Sequence, residues 1–232
     1  MPPGLAGLLN DGPPVEPRPS ASVLLVRGRQ PWEVLLMQRP REVDFAAGAH
    51  VFPGGSVHGE DREAADPLRA AAIRELFEEV GVLVARGPSG PVGHREIVQL
   101  RERLQSRPGG WAAALGELRL APALDRLTTL TRWITPAALR RRFDTTFFIA
   151  RLPRDQEIEP SRDEVAAWTW IEPARALEDG SIVLVYATRH ILESVAGEPD
   201  ISRLIARLRR RRLVHAVEPR VVQTEEGWTI VH

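Results

Sequence analysis

Apolar positions divide this chain into short strand-like runs and longer helical stripes. Ser22 to Arg27 and Trp32 to Gln38 read as strands joined by the turn Gly28-Arg29-Gln30-Pro31. Leu127 to Ile134 and Asp144 to Leu152 read as two more, the second near-continuously apolar as in a buried strand. Val165 to Ile171 carries Trp168 and Trp170 on one side of its alternation, and Val82-Leu83-Val84 predicts a further short strand. Ala70, Ile73, Leu76, Phe77 and Val80 repeat at helical spacing, opened by the N-cap pair Asp66-Pro67 and closed by Gly81.

Two stripes follow, Ile97-Leu100-Leu104 and Trp111-Leu115-Leu118, broken at Pro108-Gly109-Gly110. They predict a helical insertion over 94–120, packed mainly on the core and able to roof a cleft. Pro173 to Leu177, 186–196 and 201–213 predict further helices, and Val217 to Val222 with Trp228 to Val231 a terminal hairpin. Strands interspersed with helices imply an α/β fold, a mixed sheet with helices on both faces. The divisions expected are an extended Pro- and Gly-rich lead-in over 1–19, a main domain over 20–180, and a helical extension with its hairpin over 181–232.

The polar face of the Asp66–Gly81 helix changes the picture. Glu75 and Glu79 stack at i and i+4 with Glu78 beside them, immediately downstream of Phe52-Pro53-Gly54-Gly55. Such like charges repel, and Arg74 neutralises only part of the cluster. A solvated face is the ordinary reading of glutamates alone. Oxygen-only ligands at this density after a Gly-Gly turn suit a hard divalent cation, Mg2+ or Mn2+, that also binds phosphates.

Composition closes several alternatives. The 232 residues contain no Cys, which excludes disulfides, thiolate nucleophiles and Cys-based metal sites. All 31 basic residues are Arg, so a P-loop and a Schiff-base lysine are excluded as well. There is no Gly-x-Ser-x-Gly elbow and no His-Glu-x-x-His pair. A formal net charge of zero argues against a protein devoted to nucleic acid, although Arg209-Arg210-Arg211-Arg212 could bind a phosphate or simply end a solvated helix. No apolar run is long enough to cross a bilayer and no secretory pattern opens the chain, so a cytoplasmic location is expected.

The run Arg74-Glu75-Leu76-Phe77-Glu78-Glu79-Val80-Gly81-Val82 resembles the second half of the Nudix box of the Nudix hydrolases. The front half departs. Asp61 has the usual five-residue spacing from Gly55 and Asp66 the usual seven-residue spacing from Arg74, so the intervening loop is about five residues longer and either acid could take the accessory role. The resemblance implies an α/β/α sandwich and metal-assisted hydrolysis of a phosphoanhydride. It implies Glu75, Glu78 and Glu79 as metal ligands, a backbone carbonyl at Gly54 completing the set, and Arg74 orienting a glutamate. Glu164 resembles in position a later acid that binds metal or acts as base in several Nudix enzymes.

Upstream, Arg39 and Gly48-Ala49-His50-Val51-Phe52-Pro53-Gly54-Gly55 resemble the coenzyme A signature of CoA-cleaving Nudix enzymes, with Asp44 where a second arginine is usual. Arg141-Arg142-Phe143-Asp144-Thr145 before Phe147-Phe148 is similar to the acyl-CoA diphosphatase branch known from peroxisomes, although the ending Ile230-Val231-His232 is no peroxisomal signal. That resemblance implies cleavage of CoA or acyl-CoA to 3′,5′-ADP and (acyl-)4′-phosphopantetheine. The small-molecule diphosphate would meet Arg39, Arg41, His50, Phe52, Gly55 and Arg142. A dinucleotide or ADP-ribose pyrophosphatase and a non-catalytic nucleotide sensor are the other readings. The Arg-rich helix or terminal hairpin could supply a homodimer interface.

Overall fold

The computed structural model describes residues 6–42, 46–88, 90–107, 110–225 and 227–232. Asp44 and the Pro108-Gly109 break lie outside them. The strands are β1 (Arg18–Gly28), β2 (Trp32–Gln38), β3 (His50–Val51), β4 (Gly54–Ser56), β5 (Ala85–Gly87), β6 (Gly90–Pro91) and β7 (Ala121–Pro122) in the first half. The second half adds β8 (Thr128–Ile134), β9 (Phe143–Arg151), β10 (Ala167–Ile171), β11 (Ala216–Val217), β12 (Arg220–Thr224) and β13 (Gly227–Val231). Among the described residues six α-helices intervene: α1 (Pro67–Val80), α2 (His94–Ser106), α3 (Trp111–Glu117), α4 (Pro173–Glu178), α5 (Tyr186–Ala196) and α6 (Ile201–Arg209).

The main sheet runs β10-β2-β1-β9-β8-β11, with β3 on β2 and β4 on β1. It is mixed: β1 pairs parallel with β9 and antiparallel with β2, while β8 and β9 are antiparallel. Side-chain alternation splits its strands between two cores. Val23, Leu25, Leu35, Met37, Phe148 and Ala150 face a core shared with α1, α2 and α3. Leu24, Val26, Val34, Leu36, Phe147 and Ile149 face the other, shared with α4, α5 and α6. The result is the α/β/α sandwich that the pattern predicts.

Several elements differ from their sequence expectation. The Gly54-Gly55 turn is part of a strand, because Ser20, Ala21 and Ser22 pair with Ser56, Gly55 and Gly54. Val82, Leu83 and Val84 are not a strand. They are buried, and a side chain takes the place of a strand partner: Gln156 accepts from Leu83 N at 2.9 Å and donates to Leu83 O and Val92 O at 3.0 and 3.2 Å. The last helix ends at Arg209 rather than 213, and Val217 leaves the predicted hairpin to extend the main sheet beside Trp133. The 94–120 helices pack on the core, with Trp111 against Phe77 of α1 at a ring distance of 5.5 Å. The lead-in is tied down as well, since Asn10 N donates to Ala138 O and Arg140 N to Leu8 O.

Gln156→Ala orphans three buried backbone groups at once and is expected to destabilise the fold by about 2–4 kcal/mol. Urea unfolding would measure it; a loss below about 0.5 kcal/mol, the ordinary surface scatter, would contradict this account of the 82–84 segment.

Candidate active site

The site is built on α1 and on what holds it. Asp66 caps the helix by accepting from Arg69 N, and Pro67 occupies the first turn, where its missing N–H costs nothing. Gly81 ends the helix in the left-handed conformation, φ 74°, and its N–H donates to Phe77 O. The 152–166 segment then clamps this end. Glu159 N donates to Val80 O and Ser161 N to Glu79 O, satisfying carbonyls that the helix leaves without partners. That clamp carries Glu164 to the carboxylate face.

The two glycines are spacers. A Cβ on Gly55 would lie 2.6 Å from Glu75 Oε2, and one on Gly54 would lie 2.6 Å from Ser22 Cα. Bare backbone at Gly54 lets β4 lie against β1, and bare backbone at Gly55 leaves the Glu75 carboxylate in place. Gly54 N donates to Glu79 Oε2 at 2.7 Å, fixing a carboxylate that is only 7% exposed.

Arg74 is buried and divides itself among acids. Its Nη2 donates to Asp61 Oδ2 at 2.8 Å and to Ser56 O at 3.1 Å, while Nη1 lies 2.9 Å from Glu75 Oε1 and 2.7 Å from Glu78 Oε2. Burial disfavours its charge, but Asp61, Glu75 and Glu78 outweigh that cost and raise its pKa further. The arginine is thereby ion-paired to two glutamates of its own helix. The choice between acids is also settled geometrically: Asp61, 2% exposed, is the partner of Arg74, whereas Asp66 caps the helix. The five-residue spacing from Gly55 was the sequence signal for Asp61.

Five carboxylates, Asp61, Glu75, Glu78, Glu79 and Glu164, interact with two guanidiniums, Arg74 and Arg39. Burial raises Glu75 to about 7, against the pull of Arg74 and with the help of Glu78 and Glu164. Burial also holds Glu79 well above the ordinary carboxylate range despite the Gly54 hydrogen bond, and Glu75 and Glu164 push it the same way. Glu164 is raised by burial, then by Glu78 and Asp163. These are acids short of positive charge.

Among the described residues, no three side chains already converge as a finished metal-ligand set, and Glu78 is turned to Arg74. The donor chemistry nevertheless fits Mg2+ or Mn2+: anionic oxygens only, clustered, under-neutralised and facing glycine backbone. The residues named for substrate divide. Arg39, at the end of β2, comes close enough to lower the pKa of both Glu79 and Glu164. Arg41 is exposed, with its Cγ 3.7 Å from where a Gly48 Cβ would stand.

Three expectations change. Phe52, just after β3, is a core residue, 3% exposed and edge-on to Phe147 at 6.3 Å, packed in the core shared with α4, α5 and α6. Arg142 is a buried structural tie, 8% exposed: its guanidinium donates to Thr135 O, Val15 O and Glu218 Oε1. His50 N bonds Val183 O, burial lowers the ring's pKa, and its Nδ1 is buried with no hydrogen-bond partner among the described residues.

Residues 63–182 match the family model described as the NUDT19 Nudix domain, and 16–99 match the NUDIX domain model. The first match alone covers more than half of the chain. The chain belongs to the Nudix hydrolase family. Its homology is specifically to the NUDT19 branch. The acyl-coenzyme A diphosphatase NUDT19 of Homo sapiens is 26% identical over 206 residues, covering 63% of this chain and 55% of that protein. Its counterpart in Gallus gallus is 28% identical over 235 residues, covering 69% and 62%. The Nudix chain thus spans little more than half the length of these curated relatives. Among solved structures, the Nudix hydrolase of Alicyclobacillus acidocaldarius superposes with a TM-score of 0.69 at 26% identity, covering 83% of this chain and 96% of that one. No helix among the described residues is long and apolar enough to cross a membrane.

Two predictions follow the two kinds of acid. Asp61→Ala strips a buried partner from Arg74 and should cost about 3 kcal/mol or more, whereas Asp66→Ala, losing a cap, should cost about 1 kcal/mol. Equal losses in denaturant unfolding would contradict the assignment. For pH, the folded pKa of Glu75, about 7, lies above its unfolded value, so the folded state binds the extra proton. The resulting stability is fully present below the unfolded pKa and is lost as pH rises through 7. In a chelator, Glu75→Gln should therefore flatten the fall of melting temperature between pH 5 and pH 8. A slope unchanged by the substitution would contradict it.

Proposed function

We propose that this Nudix hydrolase is a Mg2+- or Mn2+-dependent diphosphatase of CoA or acyl-CoA, releasing 3′,5′-ADP and 4′-phosphopantetheine or its acyl form. The observation that carries the substrate is the match of residues 63–182 to the NUDT19 Nudix domain, with relatives named acyl-coenzyme A diphosphatases. The buried acids on α1 support the chemistry.

In this reading Glu75, Glu78 and Glu79 hold the cation, with the Gly54 carbonyl as a backbone ligand, and Arg74 splints the first two through its paired contacts. A bound divalent cation supplies neutralisation of the diphosphate oxygens, which otherwise repel a nucleophile. Water attacks one phosphorus, the bridging P–O bond breaks, and the water's proton passes into the carboxylate cluster. Glu75 and Glu164, which share the field of the other acids, are the acceptors in reach of the cluster. The acids act as a coupled set, so their proton belongs to the group rather than to one oxygen. Arg39 adds the cationic edge against which a substrate phosphate would lie, and Arg41, free to swing at the surface, is a second phosphate contact.

Asp44 supports a second reading. An acid where the coenzyme A signature has arginine suits a substrate with fewer phosphates, such as ADP-ribose or a dinucleotide.

Turnover of CoA, acyl-CoA, ADP-ribose, NADH and capped RNA should be compared under identical metal. CoA or acyl-CoA is expected to have the highest kcat/KM; rapid ADP-ribose cleavage without CoA cleavage would overturn the substrate and leave the chemistry. Glu79→Gln should lower kcat on the preferred substrate about 10²-fold or more while the protein stays folded. Undiminished turnover would remove Glu79 from the ligand set.

A further inference from the structure

A cavity of about 500 Å³ lies away from the carboxylate face, where the 3₁₀ turn after β7, strand β8 and the end of α6 meet the N-terminus of α1. Arg69, Arg209, Arg211 and Arg212 line it, together with Thr128 and Thr129. The cavity is thus rimmed by the arginine run that neither the fold's core nor the hydrolytic site uses. On α1 its edge residue Asp66 is nine residues from Glu75, roughly 13 Å along the helix axis.

The two acids that face the same cavity are already paired, one of them with the cavity's own Arg69. Asp66 pairs with Arg69, and Asp125 is held by Arg86 through two hydrogen bonds of 2.7 Å. Among the described residues, Arg209, Arg211 and Arg212 have no carboxylate partner. Two of them are nevertheless positioned: Arg209 Nε donates to Thr128 Oγ1 at 3.3 Å and Arg211 Nη1 to Leu130 O at 3.3 Å. Each of those contacts leaves other guanidinium N–H groups available, and guanidinium geometry matches phosphate oxygens. Arg69 is anchored too, by Leu127 O and Thr129 Oγ1 and by the Phe148 ring 5.1 Å below it. The volume falls in the range of small-molecule sites.

We propose that this cavity is a second binding site, separate from the hydrolytic centre, for a small molecule carrying two or more phosphate groups. Three guanidiniums around one concavity, without a carboxylate partner among the described residues, call for more than one negative charge, and the threonine hydroxyls can donate to the remaining oxygens. The inference is independent of the CoA assignment. Arg210 supplies an internal control, since it belongs to the same run but does not line the cavity.

The test is calorimetric titration of the full chain with inorganic pyrophosphate in EDTA, so that the carboxylate site holds no metal. Wild type is expected to bind one equivalent saturably. Arg211→Ala with Arg212→Ala should weaken that binding at least tenfold, while Arg210→Ala and Glu79→Gln leave it within twofold. The melting temperatures of the unliganded variants should match wild type, because these side chains are exposed. Several outcomes would overturn the proposal: no saturable binding by wild type, equal weakening by Arg210→Ala, or loss on Arg39→Ala with the double variant unaffected. Binding to single-stranded RNA that tightens with length and competes pyrophosphate away would replace the small molecule with a nucleic acid, and would also overturn it.

Discussion

Arg74 is the constraint on which the site depends. One buried guanidinium bridges Asp61 in the lengthened loop, Glu75 and Glu78 on α1, and the carbonyl of Ser56 at the end of β4. Helix, loop and strand are thereby locked to a common point. A buried charge is expensive unless paired, so each of these contacts is needed to keep the arginine inside. The same economy leaves the remaining acids unsatisfied. Arg74 faces three carboxylates and Arg39 is the other cation felt by the cluster, so Glu75, Glu79 and Glu164 keep raised pKa values.

Everything around that point serves to hold it in register. The parallel β1–β9 pair sets the middle of the sheet, and β4 pairs with the first half of β1, where a Cβ on Gly54 would strike the β1 backbone. The 152–166 segment does two jobs with one hydrogen-bonding requirement. It satisfies the last carbonyls of α1, and in doing so it delivers Glu164. Gln156, from the same segment, stands in for a missing strand beside Leu83. Site and fold are therefore coupled through backbone accounting rather than through side chains alone.

The sequence made the periodic parts legible. Strands β1, β2, β8 and β9, helices α1 and α5, the Asp66 cap and the Gly81 stop all follow from alternation, helical spacing and terminal residues. The acidic face of α1 was legible for the same reason, since helical geometry alone stacks Glu75 over Glu79. What could not be read were long-range substitutions of one hydrogen-bond partner for another. Val82-Leu83-Val84 has strand composition, but a glutamine 73 positions away takes its hydrogen bonds. Phe52 and Arg142 looked like site residues by motif position. Which way a residue just after a short strand points, and which distant oxygens claim a guanidinium, is decided by tertiary packing. Asp61 over Asp66 is the intermediate case: spacing named both, and only the fold shows which one reaches Arg74.

Helix α1 holds a cluster of buried carboxylates short of positive charge. The direct measurement is the number of protons released when Mn2+ binds, from calorimetry at pH 6.5 in buffers of different ionisation enthalpy. Raised carboxylates must give up their shared proton to a cation, so release of about one proton per Mn2+ is predicted, falling toward zero at pH 8.5. Binding with no proton release at pH 6.5, or release unchanged in Glu75→Gln, would contradict it.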